Sequence, residues 1–274
     1  MSYRLAQTGK GAICICGCGG TGSILAEGLC RLLVGQPEVN LYLVDHDRVE
    51  PHNLHRQAFF EGEVGKFKSQ ALAERLSRLY GREVAYSVQP YEPGILNRPW
   101  GDRRMSSVFL GILVGCVDNA AARRALSKTT LSYGGWLVDA GNGEHSGQVL
   151  VGNTDKAETM KGAFDPSRGE VKHLPLPTIQ LPALLQPRPE EVRAPDCAEA
   201  VAANAQSPVI NQAMAMLTLE FVRRLLGGEL TWMGAYLDLE AGTLSTVPAE
   251  PQTVARIMSV RADSLVARPR GKKQ

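Results

Sequence analysis

No stretch of this chain is apolar for the ~20 residues a membrane-spanning helix needs. The first residues, MSYRLAQTGKGAICIC, lack the apolar segment and small-residue cleavage site of a secretory signal. Cysteine is scarce, and four of the six (Cys14, Cys16, Cys18 and Cys30) crowd the start, with only Cys116 and Cys197 beyond. That layout is a poor disulfide framework and points to a reducing cytoplasm. No CxxC pair occurs, so the usual thiolate zinc site cannot be built. Nor does one sign of charge dominate: the formal net charge is +2. Six basic side chains lie beyond residue 255 against Asp263 alone, which leaves the body at about −3. A nucleic-acid coat or a polybasic membrane protein is therefore disfavoured.

What the chain does have is alternation. GAICIC, VNLYLVD, EVAYSV, SVFLGILVGCVD, WLVDAG and QVLVG read as strands. Between them, SILAEGLCRLLVG, residues 66–80 and AAARRALSKTTLSY carry apolar residues at helical spacing. That pattern predicts an α/β fold: a Rossmann-like, mostly parallel sheet flanked by helices. From 152 to 196 the texture changes to prolines (166, 175, 177, 182, 187, 189 and 195) with little periodicity, and a long crossover loop is expected. Order returns with SPVINQAMAMLTLEFVRRLLGG, where Ser207 caps, Pro208 opens the helix and Gly227-Gly228 ends it. Ile210, Met214, Leu217, Phe221 and Leu225 form its apolar stripe. A β-hairpin, TWMGAYLDL and GTLSTV, closes the fold, and residues 259–274 read as a basic disordered tail.

Gly17-Cys18-Gly19-Gly20-Thr21-Gly22 lies between a strand and a helix, where glycines permit close approach of a phosphate to helix amides. Alone this would suit a dinucleotide-dependent dehydrogenase. Asp45, at the end of the second strand, suits a ribose hydroxyl under any nucleotide reading. The next residues separate the options. Asn53, Arg56, Gln57 and Lys68 follow closely, and hydride transfer has little use for an Arg and a Lys on one nucleotide. Nucleotidyl transfer does, because charge grows on departing pyrophosphate. Asp118, at the end of the fourth strand, is placed to meet Mg²⁺ beside phosphates.

GxGGxG, DxDxVxxxNLxRQ, VGxxK and DN with an Arg four residues after the Asn together resemble the ThiF/MoeB/HesA superfamily, bacterial relatives of ubiquitin-activating enzymes. The short lead and sparse cysteines are also similar to the ThiF-related proteins of a plasmid-borne ParB-related, ThiF-related cassette. The resemblance implies a single adenylation domain over 1–258, with a nucleotide-binding core at 11–151, a crossover at 152–196 and a returning helix and hairpin at 197–258. It implies that Gly17, Gly19, Gly20 and Gly22 line the phosphates of ATP and that Asp45 binds ribose. Asn53, Arg56 and Lys68 would hold the triphosphate, and Asp118 would bind Mg²⁺. Gln57 matches the motif, while Asp47 and Arg123 orient the loop and helix. No zinc is expected, since the paired cysteines of many relatives are missing.

The implied chemistry is adenylation of a carboxylate, with the C-terminal glycine of a small ubiquitin-like (β-grasp) protein as the partner. Cys197, in Pro195-Asp196-Cys197-Ala198-Glu199-Ala200, would then take the activated acyl group or stand without a role. The other five cysteines read as packing residues. His46, His52 and His55 read as variable positions in the motif rather than a metal cluster. The resemblance also implies a homodimer. Relatives carry an N-terminal arginine arm, and Arg4 is the only early arginine here. The alternatives are a nucleotide-binding scaffold without activity, or a relative acting on a carboxylate-bearing modified tRNA.

Overall fold

The computed structural model describes residues 3–6, 11–95, 110–129, 131, 134–186 and 207–268. Its frame is an eight-stranded sheet ordered β11-β10-β7-β6-β5-β2-β3-β4. Five strands run parallel: β2 (Ala12–Cys16), β3 (Leu41–Val44), β4 (Val84–Ser87), β5 (Leu110–Gly115) and β6 (Trp136–Asn142). The other three extend the sheet antiparallel: β7 (Ser146–Gly152), β10 (Trp232–Asp238) and β11 (Thr243–Pro248). The mostly parallel α/β architecture expected from the alternation is the one observed.

Burial on both faces explains why the parallel strands read as continuous apolar runs. Alternate residues serve opposite cores. Ile13, Ile15, Leu41, Leu43, Ile112, Val114, Trp136 and Val138 belong to the larger one. It is covered by α1 (Gly20–Leu32), α2 (Lys68–Tyr80) and α5 (Pro208–Gly227). Cys14, Cys16, Tyr42, Val44, Leu113 and Leu137 belong to the smaller core, with Leu126 of α3 (Ala120–Ser127) and Leu176. Cys14, Cys16, Cys18 and Cys30 are buried packing residues, as expected, and Cys116 is half-buried.

The late helix forms as its sequence predicts. Ser207 accepts the Val209 N–H at 3.1 Å, Pro208 occupies the first turn, and Gly228 ends the helix at φ 65°. Ile210, Met214, Phe221 and Leu225 are buried, each worth about 1.5–3 kcal/mol of apolar burial, and Leu217 is half-buried. Met216 lies on the opposite side, 65% exposed.

Two expectations need correction. The proline-rich stretch is not structureless over its described part. It carries β8 (Phe164–Asp165), β9 (Glu170–Val171), the one-turn α4 (Pro177–Gln180) and a 3-10 turn at Pro182–Leu185. β9 also pairs in parallel with β1 (Arg4–Leu5), making a small second sheet, β1-β9-β8. Buried Met160, Phe164, Leu174 and Leu176 hold the segment down. The second correction concerns the end of the chain. After the hairpin come α6 (Pro251–Met258) and α7 (Ala262–Leu265). Leu265 is 1% exposed and Val266 bridges to Phe164, so the supposed tail is packed as far as residue 267. Residues 187–206, including Cys197, and 269–274 lie outside the described residues.

Candidate active site

In the parallel part of the sheet, β3 lies on one side of β2 and β5 on the other. The order in which strands are added reverses there, and open α/β sheets bind ligands at the carboxyl ends of strands beside such a switch point. A cleft of about 710 Å³ opens at that place. Gly17, Gly19, Gly20, Asp45, Asp47, Asn53, Arg56, Gln57, Lys68, Asp118 and Arg123 all border it. Gly22 does not, and Cys197 lies outside the described residues.

The four loop glycines divide by cause. Gly17 takes φ +90°, and a Cβ there would strike the Cys116 carbonyl. At Gly22 it would strike the Gly17 carbonyl, and at Gly20 the side chain of Asn211. Only Gly19 keeps free space, the nearest atom to its Cβ position being Gln57 Nε2 at 3.9 Å. Close packing therefore requires Gly17, Gly20 and Gly22, whereas Gly19 leaves the cleft floor open. Gly19 is the N-cap of α1, and no side chain among the described residues caps this helix. Its first-turn N–H groups and positive dipole end are left for an anion.

Asp45 locks the turn after β3. Its Oδ2 accepts the Cys18 N–H at 2.6 Å and its Oδ1 the Asp47 N–H at 2.8 Å. Burial pushes its pKa up, and the two amides oppose that shift. Each oxygen keeps a second lone pair for a ligand hydroxyl. Lys68 begins α2 and is buried, with Nζ 3.2 Å from the half-exposed Asp47. One ammonium hydrogen serves Asp47, and the others are left for a second anion.

The loop bearing Arg56 and Gln57 is tied at several points. Asn53 Oδ1 accepts the Glu50 N–H, and the Asn53 carbonyl accepts the N–H groups of Arg56 and Gln57. Ser23 of α1 accepts the Ala58 N–H at 3.1 Å, and Asn211 of α5 donates to the Arg56 carbonyl at 3.1 Å. The Arg56 guanidinium has no hydrogen bond or ion pair with any described residue. Gln57 Oε1 is buried without a partner among the described residues. An arginine with no anion and an amide oxygen with no partner among the described residues, both at one cleft, fit a site shaped for a ligand.

Across the cleft, Asn119 caps α3 by accepting the Ala122 N–H at 2.8 Å. Asp118 is exposed beside it, a hard oxygen donor of the kind Mg²⁺ takes together with phosphate oxygens. Arg123 is buried against Asp139 of β6 at 3.3 Å and so orients α3, the role expected of it. His52 turns to Glu50 at 3.1 Å and does not join the other histidines. His46 shares one small group with Asp45 and Asp47, whose ligand atoms lie within 4.8 Å of one another. The amides on Asp45 and Lys68 beside Asp47 already account for that group.

The chain belongs to the ThiF family. The match runs over residues 5–253, spanning the cleft, the late helix α5 and the closing hairpin. Among curated relatives, "Ubiquitin-like modifier-activating enzyme 5" of Rattus norvegicus is 30% identical over 142 residues, covering 49% of this chain and 34% of that protein. "Adenylyltransferase and sulfurtransferase MOCS3" of Mus musculus is 31% identical over 156 residues, covering 56% and 31%. The matched region thus spans about a third of the length of these relatives. Among solved structures, PaaA superposes with a TM-score of 0.56 at 16% identity, covering 87% of this chain and 64% of that one. E. coli MccB with ATP gives 0.52 at 19%, covering 87% and 64%. Both share the ThiF-family fold.

Sequence reasoning missed Thr21, Ser23, Asn142 and Asn211, none of which lies at a charged motif position. For Asn211 a signal existed. It sits at helical spacing with Met214, Ala215 and Thr218 on the buried side of α5, where a polar residue calls for a partner.

Proposed function

We propose that this ThiF-family chain adenylates a carboxylate with ATP and that its substrate is the C-terminal glycine of a small ubiquitin-like protein. The observation that carries the reading is the placing of Arg56, Lys68 and the uncapped N-terminus of α1 on one cleft with Asp118 opposite. That is an anion site with a carboxylate suited to a metal beside it, and no nucleophile–base pair stands out among the described residues that line it. A carboxylate needs no base, because it is already ionised at neutral pH. Its oxygen attacks the α-phosphorus, the bond from that phosphorus to the bridging oxygen breaks, and pyrophosphate leaves. Arg56 and Lys68 neutralise the charge that builds on the departing group, and the α1 amides hold the phosphates in line. Asp45 takes the ribose hydroxyls. Mg²⁺, held by Asp118, would supply further charge neutralisation at the phosphates.

The choice of a protein tail as substrate draws on the two relatives described above, one named as a ubiquitin-like modifier-activating enzyme and the other as an adenylyltransferase. The experiment is ATP–pyrophosphate exchange with a candidate β-grasp partner. Exchange should require the partner's C-terminal glycine and disappear in Lys68→Ala and Asp118→Ala. ATP binding without exchange for any partner would favour the scaffold reading instead. NADH binding would return the cleft to the dehydrogenases.

A further inference from the structure

One run of hydrogen bonds links the glycine loop, the sheet, the late helix and the Arg56 loop. Thr21 Oγ donates to Asn142 Oδ1 at 3.4 Å, and Asn142 Nδ2 donates to Asn211 Oδ1 at 3.0 Å. Asn211 Nδ2 donates to the Arg56 carbonyl at 3.1 Å. A backbone carbonyl can only accept, so the direction of the last bond fixes the orientation of the Asn211 amide. Its Oδ1 must then accept from Asn142, and the whole run points one way. Asn211 is fully buried and lies against Gly20, where any Cβ would collide with it. The residue thus touches the first residue of α1 and holds the backbone of the arginine whose own side chain borders the cleft.

We infer that Asn211 is a positioning residue for Arg56. It ties the Arg56 carbonyl to α5, and so fixes where the guanidinium meets the phosphates of ATP. The inference rests on the nucleotide reading given above. It goes further by making phosphate recognition depend on a residue 155 positions away, on the first turn of α5. Buried side-chain hydrogen bonds of this kind act together, and removing one member leaves another unsatisfied. Asn211→Ala would take one acceptor from the Asn142 amide, remove the donor to the Arg56 carbonyl and release the loop from the late helix. Asn211→Asp keeps the shape and the acceptor for Asn142, but sets an acceptor against the Arg56 carbonyl.

The test is a set of double-mutant cycles on the full chain, read as the affinity for a non-hydrolysable ATP analogue with Mg²⁺. Asn211→Ala should weaken binding about fivefold in the unaltered chain and again in a Lys68→Ala background. In an Arg56→Ala background the same change should cost under about twofold, since the group it positions is gone. Asn211→Asp should follow the same pattern and stands in if the alanine variant unfolds. An equal loss in all three backgrounds overturns the positioning role, as does loss of folding in both variants, which would make Asn211 purely structural. Failure of the unaltered chain to bind the analogue is a different result, and it removes the nucleotide reading itself.

Discussion

Arg123 Nε lies 3.3 Å from Asp139 Oδ2, and both side chains are buried beside the cleft. Burial pushes the Asp139 carboxyl pKa up, and the guanidinium opposes that shift. The pair fastens α3, which follows Asp118, to β6. Removing one partner leaves an uncompensated buried charge, so Asp139→Ala should destabilise the fold by about 3–5 kcal/mol. Arg123→Met with Asp139→Leu should recover much of that. Urea unfolding checks both, and a loss below about 1 kcal/mol for the single variant would show that the ion pair is not holding the helix.

The loop glycines should separate by phenotype. Gly19→Ala adds a methyl group into open space at the cleft floor, so stability should change by under about 1 kcal/mol while ATP binding weakens. Gly22→Ala must displace the Gly17 carbonyl and should lower stability strongly, with ATP affinity following the folded fraction. Thermal melts paired with nucleotide titration read both. Equal destabilisation of the two variants would contradict the division.

If Cys197 takes the activated acyl group, it acts in a step after adenylation. Cys197→Ser should leave ATP–pyrophosphate exchange intact and abolish only a thiol-linked acyl product, seen as a reducible adduct by mass. Loss of exchange in this variant would show that the cysteine takes part in activation itself.

The late helix makes a pH prediction. Hydrogen bonds from Arg223 and Arg224 hold Glu220 down from 4.5 to about 2. A depressed carboxyl contributes stability above its unfolded value, and that contribution is lost as pH falls from about 4.5 towards about 2. The group is partly solvated, so the effect should be under about 1 kcal/mol. Melts of Glu220→Gln should run slightly below those of the unaltered chain at neutral pH and meet them near pH 2. A constant offset across that range would contradict the assignment.

The strands β2, β3 and β5 were legible because parallel strands buried on both faces read as unbroken apolar runs, each followed closely by a turn glycine or an acid. The cleft was legible for a related reason. Its charged residues cluster just after strand ends, where the fold needs no charge, and so they stand out. β1, β8 and β9 were not legible, since two-residue strands have no period, and Arg4–Leu5 meets Glu170–Val171 only in three dimensions. The packed end at Leu265 was hidden by the basic residues around it. The Asn142–Asn211 link was hidden too, because sequence alone does not show which buried amides meet.

The most direct test of the central claim follows the two ends of ATP separately in the presence of a β-grasp partner ending in glycine. Label placed in the α-phosphate should move onto the partner as an acyl-adenylate, and label in the γ-phosphate should leave as pyrophosphate. Lys68→Ala should do neither. Release of the γ-label as inorganic phosphate, with no α-label on the partner, would contradict adenylation.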